Sequence, residues 1–193
     1  DKGLSVTVYL EQKRGNASTS DFSPQAIRDT VAAALSIARY TAEDDCAGLA
    51  EKDRLARDYP QLALYFPWQL SVEQAIELAK ECEQAGFAAD PKITNSEGAT
   101  VSTSESQFIY ANSLDFMGGY PVSRHSVSCA LIAEHNESKQ RDYWYSVARD
   151  AVDLESAQEI GRKTGLRSAA RLGARKIATC EVPVIFEAPI ASS

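Results

Sequence analysis

The sequence predicts an α+β fold: an antiparallel-rich mixed sheet with helices packed on one face. Three observations predict it. A segment of period two opens the chain, two segments of helical period with serine caps follow, and alternating strands separated by polar turns fill the middle. With 193 residues, 44% of them hydrophobic and 24% charged, the chain can bury a core and suits one domain or one domain plus part of another.

In GLSVTVYLEQKRGNASTSDF, Leu4, Val6, Val8 and Leu10 share one parity and Ser5, Thr7 and Tyr9 the other. That pattern is a strand with one buried face. KRGN (13–16) reads as a turn and ASTS as the returning strand of a hairpin. In DFSPQAIRDTVAAALSIARYT (21–41), Ser23 is placed to cap a helix and Pro24 fits its first position, where the missing N–H costs nothing. Ala26 three residues after the cap rules out a reciprocal capping box, and Ile27, Val31, Ala34, Leu35 and Ala38 form the stripe predicted to pack on the sheet.

Residues 42–70 carry Pro60 and Pro67 and no sustained period, so they read as an irregular excursion with at most a turn or two of helix. A second helix starts at Ser71, with Gln74 at capping-box spacing and Val72, Ala75, Ile76, Ala79 and Cys82 on one face. Asn95-Ser96-Glu97-Gly98 has the composition of a turn. Strands follow at roughly 99–111, 118–134 and 141–149, with turns at NSLD (112–115) and HNESKQ (135–140). Gly118-Gly119, inside the strand region, marks a bulge or a close backbone approach. A last helix near 154–173 presents Leu154, Ala157, Gly161, Ser168 and Leu172, and VPVIFEAP (182–189) reads as a buried strand. Core-type strands stand flush with both ends, so the expected organisation is an α+β domain over 1–180 and the start of a truncated further domain over 181–193.

The 27 acidic and 20 basic residues leave a formal charge of -7, which repels phosphate backbones and argues against nucleic acid as a direct partner. The basic run RKTGLRSAARLGARK (162–176) is read as a solvated helix face. Without a long apolar run no membrane partner is expected. The four cysteines, at 46, 82, 129 and 180, form no C-x-x-C pair. Cys82 and Cys129 sit among apolar neighbours as buried free thiols, and with no signal peptide in the sequence the expected compartment is the cytoplasm.

The two histidines invite a metal hypothesis, but geometry opposes it. His125, Val127, Cys129, Leu131, Ala133 and His135 share one parity. On one continuous strand the ten residues between the histidines span about 33 Å, whereas the ligands of one metal ion lie within about 2 Å of it. His135 therefore heads a polar turn, and His125 is a strand residue satisfied by its neighbours. No H-E-x-x-H, G-x-S-x-G, G-x-G-x-x-G or P-loop pattern appears. Glu97 reads as a solvated carboxylate, the Ser and Thr residues of 94–106 as a solvated strand face, and the aromatics of FPW (66–68) and YWY (143–145) as packing, with an interface patch as second reading. No catalytic, cofactor-binding or metal-ligating residue is assigned.

The segments VTVYLEQKRGNASTSDFSPQAI, CAGLAEKDRLA, ITNSEGA, RHSVSCALIAE, RDYWYSVARD and KIATCEVPVIFEAP, with ANS followed by F and GGY, resemble in order the amino-terminal region of the PmbA/TldE-type branch of the TldD/PmbA metalloprotease family. The resemblance covers nearly the whole chain. It implies an upstream segment and a large, mostly β carboxy-terminal domain outside these residues. It also implies zinc on an H-E-x-x-x-H helix of a TldD-type partner subunit, with no working metal site in the PmbA-type subunit itself. The implied assembly is a heterodimer with the TldD-type subunit, or self-association, around a chamber that admits unfolded peptides for peptide maturation and antitoxin turnover. The family's other description, modulator of DNA gyrase, implies the alternative of a protein-binding regulatory module. No family catalytic residue can be carried onto these positions. One departure stands out: where the family has N-S-x-G-F, this chain reads Asn112-Ser113-Leu114-Asp115-Phe116, and aspartate tolerates the left-handed region that glycine would occupy.

Overall fold

The computed structural model describes residues 1–57 and 60–191. Strands β1 (Leu4–Leu10) and β2 (Lys13–Thr19) form an antiparallel hairpin, with Leu4 opposite Thr19 and Leu10 opposite Lys13. Its turn is Glu11-Gln12, with Glu11 at φ 56°, and not the KRGN stretch. Gly15 explains the difference. A Cβ at that position would lie 2.0 Å from the carbonyl oxygen of Ala34, so the glycine allows strand and helix backbones to meet and does not turn the chain.

Helix α1 (Pro24–Tyr40) has the predicted start: the Ser23 hydroxyl accepts from the amide of Ala26, and Pro24 occupies the first turn. Its buried face is Thr30, Ala34 and Ala38, while Val31 is exposed. The helix is rolled away from the predicted stripe because contact with Gly15 requires small residues. Between α1 and Ser71 the described residues are irregular apart from a 3-10 turn at Lys52–Arg54, and positions 58 and 59 of the expected excursion lie outside the described residues.

Helix α2 (Val72–Ala89) carries the predicted capping box: the Ser71 hydroxyl accepts from the Gln74 amide and the Gln74 side chain accepts from the Ser71 amide. Its buried face centres on Cys82 and Gly86, and Val72 and Ile76 stay exposed against expectation. Strands β3 (Ile93–Ala111), β4 (Met117–His135) and β5 (Ser138–Ala148) follow as an antiparallel meander in the order β3-β4-β5. The predicted turn at 95–98 is absent. Those residues continue β3, with Gly98 at φ 106°. The two predicted hairpin turns are present, with Asp115 at φ 64° in the first and Asn136-Glu137 at φ 47° and 64° in the second. Gly119 of β4 comes close to the Phe108 carbonyl of β3, as its position inside the strand suggested.

Helix α3 (Ala157–Ala170) buries Ala157, Ile160, Gly161, Thr164, Gly165 and Ser168. It crosses α2 at near-backbone contact, through Gly161 and Gly165 of α3 and Gly86 of α2. Below the two helices lies the core, built from Cys82, Ile93, Val127, Cys129, Leu131, Ala133, Ala157 and Ile160. The α+β class is thus an antiparallel three-stranded sheet with helices in one unit, and a two-stranded hairpin with its own helix in the other.

VPVIFEAP is not a buried strand. Val182, Val184, Ile185 and Phe186 are exposed, and only a short helix, α4 (Ala188–Ala191), follows. An apolar run becomes a strand only where a neighbouring backbone completes its hydrogen bonds, and none of the described strands lies beside it. No helix among the described residues is long and apolar enough to cross a membrane. The chain divides into two units, Asp1–Pro60 with Ala111–Met117, and Gln61–Tyr110 with Gly118–Ser193.

Candidate functional site

The second unit holds both histidines, three of the four cysteines and a groove beside α2. From Ser123 to Ala133 the odd positions of β4 are buried. Four are the apolar residues of the core, but Ser123 and His125 are polar and must find partners there. They find them in the irregular segment before α2. The Ser123 amide donates to the Leu64 carbonyl at 2.9 Å. Its hydroxyl accepts from the Phe66 amide at 2.8 Å and donates to the Arg149 carbonyl at 2.7 Å. The His125 Nε2 lies 2.8 Å from the Phe66 carbonyl and its Nδ1 2.8 Å from the Thr103 hydroxyl. A carbonyl can only accept, so Nε2 carries the proton and Nδ1 accepts from Thr103.

Trp68 completes the enclosure, its ring edge-on to the imidazole at 5.5 Å between centroids. His125 is fully buried with both nitrogens engaged, so it is the satisfied strand residue that the sequence predicted. His135 ends the same unbroken strand, which keeps it about 33 Å from His125. Among the described residues no three His, Cys, Asp or Glu side chains gather into a group that could hold a metal ion.

On its other side Trp68 borders an open groove of about 500 Å³ lined also by Leu70, Glu73, Gln74, Glu77, Leu78 and Glu81. The glutamates fall at i, i+4 and i+8 of α2, so they form one row. Glu73 sits in the first turn of the helix. Its own amide and the Ser71 hydroxyl hold its carboxyl below the usual value of 4.5. Sequence reading missed this groove because Trp68 and Leu70 join it from a segment of no regular period.

Along β5 the parity predicted for a strand separates the YWY aromatics. Trp144 faces the core side, flanked by Lys163 at 5.3 Å and Arg167 at 5.0 Å, while Tyr143 and Tyr145 are exposed and stacked on each other. Packing accounts for Trp144 and not for the tyrosines. The basic run is a helix face only in part: within α3 Arg162 bonds Glu159, Lys163 bonds Glu155, and Arg167 grips Glu187 through two bonds of 2.6 and 3.1 Å, whereas Arg175 and Lys176 lie beyond the end of the helix. Glu97 forms an ion pair with Arg141. Cys82 of α2 and Cys129 of β4 are free, buried and hydrogen-bonded to each other. That bond, together with burial, pushes the Cys82 thiol far above its ordinary range.

Known proteins resemble the chain in both sequence and fold. Residues 65–172, more than half of it, match the PmbA/TldA metallopeptidase central domain. The chain is 44% identical over 192 residues to the metalloprotease PmbA of Escherichia coli, covering 100% of this chain and 43% of that protein. It is 42% identical over 186 residues to a metalloprotease PmbA homologue of Haemophilus influenzae, covering 96% and 41%. The chain therefore spans less than half the length of these relatives. A crystal structure from Bacteroides thetaiotaomicron, provisionally designated a modulator of DNA gyrase, superimposes with a TM-score of 0.81 at 25% identity, over 91% of this chain and 40% of that one. TldE from Thermococcus kodakarensis shares the fold with a TM-score of 0.65 at 11% identity, over 86% and 41%.

Proposed function

Because the chain belongs to the PmbA/TldA metallopeptidase family, we propose that it is a non-catalytic portion of a PmbA/TldE-like subunit of a TldD/TldE-type protease acting on unfolded peptides in the cytoplasm. The observation that carries this reading is the state of His125. It is the one histidine placed in the core of the matched domain, and both of its nitrogens are consumed by bonds that hold the chain in place. Zinc does not fit the two histidines: both nitrogens of His125 are engaged, and His135 is far along the strand, with no group of three His, Cys, Asp or Glu able to hold a metal ion among the described residues. On this reading the metal and the hydrolysis belong to a TldD-type partner, and this chain supplies a wall of the compartment.

The sheet offers a way to hold an extended substrate. In the order β3-β4-β5 no described strand pairs with the outer edges of β3 and β5, and a peptide can add there as a further strand whatever its sequence. The test is an unfolded peptide carrying a photo-crosslinker, offered to the complex of the full-length protein with its TldD-type partner. Labels on β3 or β5 support the reading, and labels confined to positions outside residues 1–193 overturn it.

A second reading, a regulatory module acting on gyrase, is favoured by the designation of the Bacteroides structure. Co-purification with gyrase in the absence of any TldD-type subunit would support it.

A further inference from the structure

We infer that the groove beside α2 is a docking site for an extended peptide segment that alternates basic and apolar residues. The floor is apolar: Trp68, Leu70 and Leu78 line about 500 Å³ of open space and are each only half-buried. The rim is a row of three carboxylates, Glu73, Glu77 and Glu81. Each already has one oxygen engaged, with Ser71, Lys80 and Gln158 respectively. Glu73 also accepts from its own amide, while the other oxygen of Glu77 and of Glu81 has no hydrogen-bond partner among the described residues. The row therefore carries unspent acceptors above an unfilled apolar floor, a combination that complements a cation with an aliphatic neighbour.

Spacing narrows the occupant further. Helical residues four apart rise about 6 Å along the axis, and alternate side chains of an extended strand repeat about every 6.7 Å. A strand lying along α2 can thus present successive basic residues to Glu73, Glu77 and Glu81 while its intervening residues turn to the floor. This holds whether or not the chain pairs with a TldD-type subunit, and it is tested on the full chain alone.

The probe is a fluorescein-labelled peptide of alternating lysine and valine or leucine, titrated by fluorescence anisotropy. The expected result is saturable binding that weakens with salt, with Kd rising roughly tenfold in the Glu73→Lys/Glu77→Lys variant and less in Glu73→Gln/Glu77→Gln. Glu77→Lys alone leaves the Ser71 cap untouched and carries the test if circular dichroism shows that the double change frays the helix. Two control peptides are titrated alongside, one with glutamate for lysine and one with serine for the apolar residues. Unchanged affinity in Glu77→Lys overturns the inference. So does equal binding of the glutamate peptide, or of the serine peptide, which would reduce the effect to bare charge.

Discussion

Gly161 of α3 lies so close to the backbone of α2 that a Cβ on it would stand 1.9 Å from the carbonyl oxygen of Cys82. The obstruction is backbone on both sides, so it can be relieved only by moving one helix off the other. Gly161→Ala should destabilise the fold by about 1–3 kcal/mol, the usual cost of overpacking. Gly86→Ala should cost less, because its Cβ would mainly meet the Leu131 Cδ1, the end of a side chain and not backbone. Urea denaturation midpoints of the two variants test the order. Equal midpoints would overturn that order.

His125 and Ser123 tie the irregular segment before α2 to the sheet. His125→Ala leaves the Phe66 carbonyl and the Thr103 hydroxyl without their partner and opens a cavity under Trp68, at a cost of about 3 kcal/mol. In Ser123→Ala the Phe66 amide loses its acceptor, so its hydrogen exchange should accelerate while the core amides of β4 stay protected. Exchange rates resolved at residues 64–68 are the measurement.

The four cysteines should divide into two classes. Cys46 and Cys180 are exposed, whereas Cys82 and Cys129 are buried against each other, with the Cys82 thiol held protonated by their shared hydrogen bond and by burial. A thiol-reactive chromophore should therefore count two fast thiols in the native protein and four after denaturation. Rapid native reaction of all four would contradict the core packing.

Glu73 makes stability depend on pH in a defined direction. Its folded carboxyl lies below the usual 4.5 because its own amide and the Ser71 hydroxyl favour the ionised form. The folded pKa is depressed, so this stabilisation is fully present above the unfolded value and is lost as pH falls through the folded one. Glu159, held low by Arg162, acts in the same sense at the start of α3. The stability of Glu73→Gln should match wild type more closely at pH 3 than at pH 7, as read from paired urea titrations. An unchanged difference at the two pH values would remove Glu73 from the acid response.

What the sequence determined by itself was whatever depends on neighbours in the chain. Ser23-Pro24 and Ser71 with Gln74 start helices because a cap acts within three residues, and the meander from β4 to β5 was visible because strand parity and turn chemistry are local. The parity of His125 with Val127, Cys129 and Leu131 likewise marked it as a strand residue satisfied by its neighbours. Tertiary structure decided the rest, because packing rolls an element by contacts that no periodicity records. Gly15 looked like a turn until Ala34 lay against it, α2 buried Gly86 and left Ile76 outside because α3 comes into backbone contact there, and VPVIFEAP formed no strand because no described strand pairs with it. The partners of His125 are of the same kind: Phe66 meets it from 59 positions away along the chain, and a long-range contact of that sort leaves no trace in local sequence. The groove beside α2 joins residues close in the chain, but Trp68 and Leu70 come from a stretch of no regular period, so no pattern marked it.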